Sequence, residues 1–233
     1  METEKTPDIL TEHKKIDFVS ENRGYIIGFL LLWSFACLLL FAVVEKGDVI
    51  LFFADNRTEF RNFFFVFWTY FGEGYVYVIA VIALLFVAYS KCLAIAVNAV
   101  LVLGFSGGLK QLFEHERPVR YFNDLLKQPD LPNYIPDVVL HDGWTTSFPS
   151  GHTTSAFAFY TLLALFIPNK GLKLLCLALA VLVAVSRMYL VQHFLKDVTS
   201  GMLVGFLIAL FVYWLHEKYS YLLPGKWQFA SKV

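Results

Sequence analysis

The chain has 233 residues, of which 58% are apolar and 18% aromatic, and its mean hydropathy is +0.59. This balance excludes an ordinary soluble domain and places the chain in a bilayer. The 19 basic residues equal the 19 acidic residues in number, so there is no overall basic field that would attract nucleic acid.

Six apolar runs follow a polar N-terminal segment, and each is close to the roughly 17 to 25 residues that cross a hydrocarbon core. The runs lack the alternation of barrel strands, so we predict an all-α fold, a bundle of six transmembrane helices. The predicted spans cover about residues 25–44, 69–89, 92–113, 153–167, 172–190 and 198–215.

Lysine and arginine near the span ends predict the orientation of the bundle. Ten of them lie on the side of the N-terminus and nine on the opposite side. Three of the nine, Lys110, Arg117 and Arg187, are candidate site residues, which leaves an excess on the N-terminal side. We therefore predict a cytoplasmic tail at 1–24, the six-span domain at 25–217 and a second cytoplasmic tail at 218–233, with the polar helix ends facing outward.

The longest polar connection lies between the third and fourth predicted spans, at about residues 119–148, and contains Pro129, Pro132 and Pro136. Long loops in compact proteins are more often functional than idle. This loop joins two helix ends that carry polar motifs, so we expect it to contribute to a site.

The first of three polar groups ends the third span, with Lys110, Arg117 and Pro118. A spacing of seven residues is close to two helical turns, so the pattern predicts both cations on one helical face, with Pro118 ending the helix. Interfacial cations that snorkel would give the same pattern. Lys110 argues against this alternative, because a cation inside an apolar helix requires a partner.

The second group is Pro149-Ser150-Gly151-His152, which leads directly into the fourth apolar run. The free N–H groups of a helix start and the positive end of the helix dipole form an anion site. His152 adds a titratable proton at the same position. An ordinary serine cap is the alternative interpretation of Ser150.

The third group contains Ser186, Arg187, His193 and Asp197. The i, i+4 spacing of His193 and Asp197 predicts neighbours on one helical face, with the carboxylate orienting the imidazole. The guanidinium of Arg187 is suited to phosphate oxygens. A purely structural His–Asp pair remains possible from this spacing alone.

The three groups are predicted at the same membrane face and complement one another. They combine three cations, an amide-lined helix start, two histidines and one orienting carboxylate. Phosphoryl transfer needs such a set, because charge on the equatorial oxygens is neutralised while nucleophile and leaving group align.

The eleven specified positions of these groups resemble, in order, the three-part motif of the type 2 phosphatidic acid phosphatase family. The resemblance covers roughly residues 105–215. It implies that His193 attacks phosphorus, that Asp197 activates His193 and that His152 protonates the leaving oxygen. It further implies phosphate binding by Lys110, Arg117, Ser150, Gly151 and Arg187.

The function expected from this resemblance is a metal-independent lipid phosphate or pyrophosphate phosphatase that works through a phosphohistidine. Three fixed cations make a divalent metal unnecessary, so no metal or cofactor is expected. Undecaprenyl pyrophosphate, phosphatidylglycerol phosphate, phosphatidic acid and the phosphates of lipid A all satisfy such a pocket. The localisation that we predict is a bacterial inner membrane, with the site facing the periplasm or cell exterior.

Three alternative functions differ in class. A lipid-directed phosphotransferase would pass the phosphate from the histidine to a lipid instead of water. A vanadate-dependent haloperoxidase would share the anion pocket, although its relatives are typically soluble. A non-enzymatic bundle such as a channel would not need His193.

Two weaker patterns leave their meaning open. Glu73 is the lone acid near the outer end of the second span, and it either supports the cationic site or lies at the interface. Gly104 with Gly108 and Gly201 with Gly205 have the GxxxG spacing, which we interpret as close packing inside the bundle in preference to dimerisation.

Overall fold

The computed structural model describes residues 18–125, 132, 134–136, 138 and 147–222. These residues form helices and no β-strand, so the predicted all-α class is confirmed. In chain order the helices are α1 Phe18–Leu38, α2 Asp48–Asp55, α3 Glu59–Thr69, α4 Tyr75–Leu85, α5 Tyr89–Phe113, α6 Pro118–Arg120, α7 Gly151–Phe166, α8 Lys170–Tyr189 and α9 Leu195–Tyr219.

The predicted tails at 1–24 and 218–233 lie mostly outside the described residues. The described part of the first tail belongs to α1, which begins at Phe18. The second tail begins inside α9, which ends at Tyr219. Much of the predicted loop at 119–148 also lies outside. Its first residues form α6 and a π-helical turn at Tyr121–Leu125.

Four helical segments have the length and composition of a membrane span: Ser20–Val43, Tyr89–Phe113, Lys170–Tyr189 and Leu195–Tyr219. A bent pair, Glu59–Gly72 with Tyr75–Leu85, has the composition of a fifth. The predicted count of six is not confirmed among the described residues, because α7 has 16 residues and is only about 24 Å long. Most side chains of α7 are buried by the other helices, so its own length does not have to cover the lipid core.

The second predicted span, 69–89, is not one continuous helix. It begins earlier, at Glu59, where the Thr58 hydroxyl accepts a hydrogen bond from the backbone N–H of Arg61. A 3₁₀ turn at Tyr70–Gly72 and an extended Glu73 interrupt it, and the two halves meet at 54°. The break lies beside α7 and α8.

α7 is the centre of the bundle and packs most extensively against α9 and α8. Close approach to α9 depends on Gly205 and Gly201. A Cβ atom at Gly205 would overlap the carbonyl oxygen of Thr154, and one at Gly201 would lie 3.0 Å from the carbonyl oxygen of Ser150. The packing interpretation is confirmed for this pair of glycines.

The same interpretation is wrong for Gly104 and Gly108 on α5. A Cβ atom at either position would meet nothing within 4 Å. Both glycines line an open, apolar surface with Val100, Leu101 and Phe105. The spacing is identical in both pairs, but this face of α5 has no helix packed against it among the described residues.

Candidate active site

His193 and Asp197 lie at one end of the bundle, between the end of α8 and the first turn of α9. Both are fully enclosed, with 2% and 0% of their surface exposed. His193 Nδ1 lies 3.7 Å from Asp197 Oδ2, a separation slightly longer than a direct hydrogen bond. The predicted proximity is confirmed, but its geometric reason is wrong, because His193 precedes α9 and the two residues do not share a helical face.

The Asp197 carboxylate is held by two donors besides its contact with His193. The backbone N–H of Phe194 donates to Oδ2 at 2.9 Å, which closes the first turn of α9. The Ser147 hydroxyl donates to the same oxygen at 2.6 Å. Ser147 is completely buried, and the sequence reasoning did not select it.

Burial lowers the pKa of the His193 imidazole to about 3, with Asp197 acting in the opposite direction. The ring is therefore neutral at neutral pH and keeps a lone pair. Since Nδ1 faces the carboxylate, Nε2 is the nitrogen suited to attack.

A tight turn places His193 directly over the end of α8. The carbonyl oxygen of Arg187 accepts from the backbone N–H groups of both Gln192 and His193, at 2.9 and 3.2 Å. Val191 within this turn has a φ of 58°, in the left-handed region that β-branched residues rarely adopt. Arg187 itself is buried, and its Nη1 donates to the Thr69 hydroxyl at 2.6 Å.

Lys110 and Arg117 do not project from one helical face, so that prediction is wrong. α5 ends at Phe113, and Glu114 adopts a left-handed conformation with φ 43°. Arg117 follows as the extended residue before α6, and Pro118 begins α6 instead of ending α5. The two cations still reach one site, because the chain turns back after Glu114.

The start of α7 meets these cations. Ser150 is the residue before the helix, and its side chain does not cap the first turn, which leaves the helix start open to an anion. The backbone N–H of Ser150 donates to the carbonyl oxygen of Asp197 at 3.0 Å. A Cβ atom at Gly151 would lie 3.5 Å from Lys110 Nζ, so the ammonium group lies beside this turn.

His152, the second residue of α7, contacts the break in the second span. Its Nε2 lies 2.7 Å from Glu73 Oε1. Gly72 makes this approach possible, because a Cβ atom there would lie 3.0 Å from the His152 carbonyl oxygen and 2.6 Å from Val183 Cγ1. Of the two interpretations left open for Glu73, the structure favours the one that places it in the site.

A cavity of about 500 Å³ lies between α4, α5 and α7. Lys110, Gly151 and His152 line it together with apolar residues that include Val78 and Leu103. The side chains of Val78 on α4 and Leu103 on α5 are exposed on the lateral surface of the bundle. The cavity thus connects the polar site with the surface that faces lipid.

All eight predicted site residues lie at the same end of the bundle, where α8 ends and α7 and α9 begin. They are His193, Asp197, His152, Lys110, Arg117, Ser150, Gly151 and Arg187. Sequence reasoning missed Ser147 and Thr69. Ser147 could have been selected because it lies close in sequence to the second motif. No feature of the sequence around Thr69 indicates a role in the site.

The chain is similar to several known proteins. Residues 83–221 match the family model described as the PAP2 superfamily. The bacitracin transport permease protein BcrC of Bacillus licheniformis is 42% identical over 76 residues, which are 33% of this chain and 36% of that protein. Phosphatidylglycerophosphatase B of Bacillus subtilis is 33% identical over 96 residues, 37% of this chain and 46% of that protein.

Two further similarities are to a lipid A 4'-phosphatase and to a solved crystal structure. The lipid A 4'-phosphatase of Porphyromonas gingivalis is 30% identical over 108 residues, 46% of this chain and 43% of that protein. The crystal structure of Aquifex aeolicus LpxE superposes with a TM-score of 0.59 at 25% identity, and covers 72% of this chain and 94% of that one. The matches to the three curated relatives span less than half of each relative's length.

Proposed function

The chain belongs to the PAP2 superfamily, and on that premise we propose that it is an integral membrane phosphatase that hydrolyses a lipid phosphate or pyrophosphate. One observation carries this proposal. A buried His–Asp pair, an open helix start and three cations surround one point, and this point adjoins a cavity that opens to lipid.

In the first step, Nε2 of neutral His193 attacks phosphorus. A P–N bond forms, the P–O bond to the lipid breaks, and its electron pair leaves with the lipid oxygen. Asp197 stabilises the positive charge that develops on the imidazole ring. Lys110, Arg117, Arg187 and the start of α7 neutralise charge on the equatorial phosphate oxygens.

His152 donates a proton to the departing oxygen and becomes neutral. In the second step, neutral His152 accepts a proton from a water molecule, whose oxygen attacks the phosphohistidine. The P–N bond breaks, its electrons return to His193, and phosphate leaves. The sum of both steps is the addition of water to one phosphate ester or anhydride bond.

The cavity between α4, α5 and α7 supports a substrate with an apolar tail. A phosphate beside Lys110 and Gly151 would allow an acyl or prenyl chain to pass Val78 and Leu103 into the bilayer. The names of two relatives, phosphatidylglycerophosphatase B and lipid A 4'-phosphatase, agree with lipid phosphates as a class. Undecaprenyl pyrophosphate, phosphatidylglycerol phosphate, phosphatidic acid and lipid A phosphate are the substrates to compare.

We assign the protein to a bacterial inner membrane, with the tails at 1–24 and 218–233 in the cytoplasm and the site facing the periplasm. The excess of basic residues on the tail side supports this orientation. Cysteine accessibility at Phe60, an exposed residue of α3, would test it. A membrane-impermeant reagent should label F60C in intact cells.

The central experiment is phosphate release from these four lipids by detergent-purified protein with excess chelator. We expect release that resists the chelator and falls by at least about 1,000-fold in His193→Ala, because the covalent step is lost. His216→Ala, at the far end of α9, is the matched control and should keep its activity.

Equal release by the His193→Ala variant would contradict the phosphohistidine. Substrate labelled in the phosphate also separates hydrolysis from transfer. Hydrolysis yields labelled free phosphate, whereas a phosphotransferase yields a new labelled lipid and no free phosphate.

A further inference from the structure

The break in the second span brings an acidic residue to the site from outside the three sequence motifs. Glu73 lies before residues 83–221, the part that matches the family model. Glycines on both sides interrupt the helix, and the backbone at Glu73 is extended, with φ −78° and ψ 157°. This conformation directs the carboxylate to His152 at 2.7 Å.

The position of Glu73 is fixed by its neighbours. Gly72 lies against the backbone of His152 and the side chain of Val183, with no room for a larger residue. Thr69, at the end of α3, accepts the hydrogen bond from Arg187. The carbonyl oxygen of Phe71 accepts from the Tyr160 hydroxyl at 3.4 Å. These contacts attach the residues that directly precede the acid to α7 and α8.

The electrostatic surroundings of His152 explain why an acid is needed there. Arg187 from α8 and Lys110 from α5 both face the imidazole, and Glu73 is the acidic group that faces it among the described residues. Burial and the two nearby cations lower the pKa of His152, whereas the Glu73 carboxylate in contact with the ring opposes that shift. A residue that must deliver a proton in this place requires such a counter-charge.

We propose that Glu73 is the positioning residue for His152, holding one ring nitrogen and supplying the negative charge that favours the imidazolium against burial, Lys110 and Arg187. The other ring nitrogen is then left for the leaving oxygen. This inference rests on the proposed function, since it assigns a role within the same reaction. It extends the site by a fourth element, the break at residues 69–74.

The test uses two substrates that differ in their need for an acid. A lipid phosphomonoester expels an alkoxide, which must be protonated, whereas p-nitrophenyl phosphate expels a stable phenolate. We expect Glu73→Gln to lower kcat about 10- to 100-fold on the lipid ester and less than about threefold on the aryl ester. The loss of kcat at high pH should begin at lower pH than in the wild type.

Three further variants make the result specific. Glu73→Asp keeps the charge and should restore part of the activity on the lipid ester. Glu59→Gln, the same change at an exposed position of the same broken span, should leave both activities unchanged. In a His152→Ala background, Glu73→Gln should add nothing, because its effect passes through His152.

Several outcomes would overturn the inference about Glu73 and leave the proposed function intact. They are an equal loss on both substrates, no loss on either, a further loss in the His152→Ala background, or a comparable loss in Glu59→Gln. A wild-type protein that cleaves neither ester would instead overturn the proposed function, and the role of Glu73 with it. Thermal unfolding of each variant in detergent identifies a loss of activity that comes from misfolding. If Glu73→Gln is misfolded, the activity of Glu73→Asp on the two esters decides the question.

Discussion

Asp197 has two structural tasks in addition to its contact with His193. Its Oδ2 accepts from the Phe194 backbone and from the Ser147 hydroxyl, while its carbonyl oxygen accepts from the N–H of Ser150. The start of α9, the start of α7 and the proposed nucleophile are therefore tied to one residue. A change at any of these contacts should shift the carboxylate relative to the imidazole.

Ser147→Ala tests this dependence. A hydrogen bond to a charged group contributes about 1.5 to 3 kcal/mol, so we expect kcat to fall roughly 10-fold or more. KM should change little, because Ser147 does not line the cavity. Ser34→Ala, an exposed position on α1, is the matched control. An unchanged kcat in Ser147→Ala would show that the backbone of Phe194 alone holds the carboxylate.

Much of the site could be predicted at this scale, because Lys110, His152 and Asp197 belong to motifs with restrictive spacing. The geometry was harder to predict. The spacing of His193 and Asp197 predicts a shared helical face that the structure does not have, and no sequence pattern indicates the left-handed conformation of Glu114. Both errors have one cause, since turns at helix ends are determined by contacts with other helices that local periodicity does not contain.

Glycines on α9 and on α5 have different packing environments. On α9, Gly205 lies against the backbone of α7, and an added Cβ would lie 2.8 Å from the backbone nitrogen of Ala158. On α5, Gly104 has open space. The contrast arises because α7 is enclosed while one face of α5 is directed outward.

Gly205→Ala should lower the thermal midpoint in detergent by several degrees, because overpacking costs about 1 to 3 kcal/mol and the obstacle is backbone. Activity should fall as well, since α7 and α9 both begin at the site. Gly104→Ala should leave the midpoint unchanged or raise it slightly through better helix propensity. Equal behaviour of the two variants would contradict the packing described for α7 and α9.

The broken second span shows that hydropathy alone does not predict where a membrane helix begins or where it is interrupted. The run at 69–89 satisfies the length criterion, so the sequence indicated one helix. Its first half is supplied instead by α3, whose Glu59, Arg61 and Asn62 lower the apparent hydropathy. Tertiary contacts of Gly72 and Glu73 stabilise the break, and no local pattern reports them.

The whole molecule places the proposed reaction centre beside a cavity that opens on the apolar surface of the bundle. Leu103→Trp should narrow the mouth of the cavity and raise KM several-fold for a long-chain lipid phosphate, with kcat almost unchanged. A short, water-soluble phosphate ester should be hydrolysed within about twofold of the wild-type rate. Leu207→Trp, on the apolar surface between α5 and α9, is the control for a bulky residue facing lipid.

A cavity that opens on the side of the bundle has a consequence for how the proposed phosphatase would meet a lipid substrate. Substrate that enters through the cavity between α4, α5 and α7 arrives by diffusion within the plane of the membrane. The velocity then depends on the mole fraction of substrate lipid among all lipids, and not on its concentration in the aqueous volume. Dilution with inert phospholipid should slow the reaction, whereas dilution of the whole suspension with buffer should leave the turnover per enzyme unchanged.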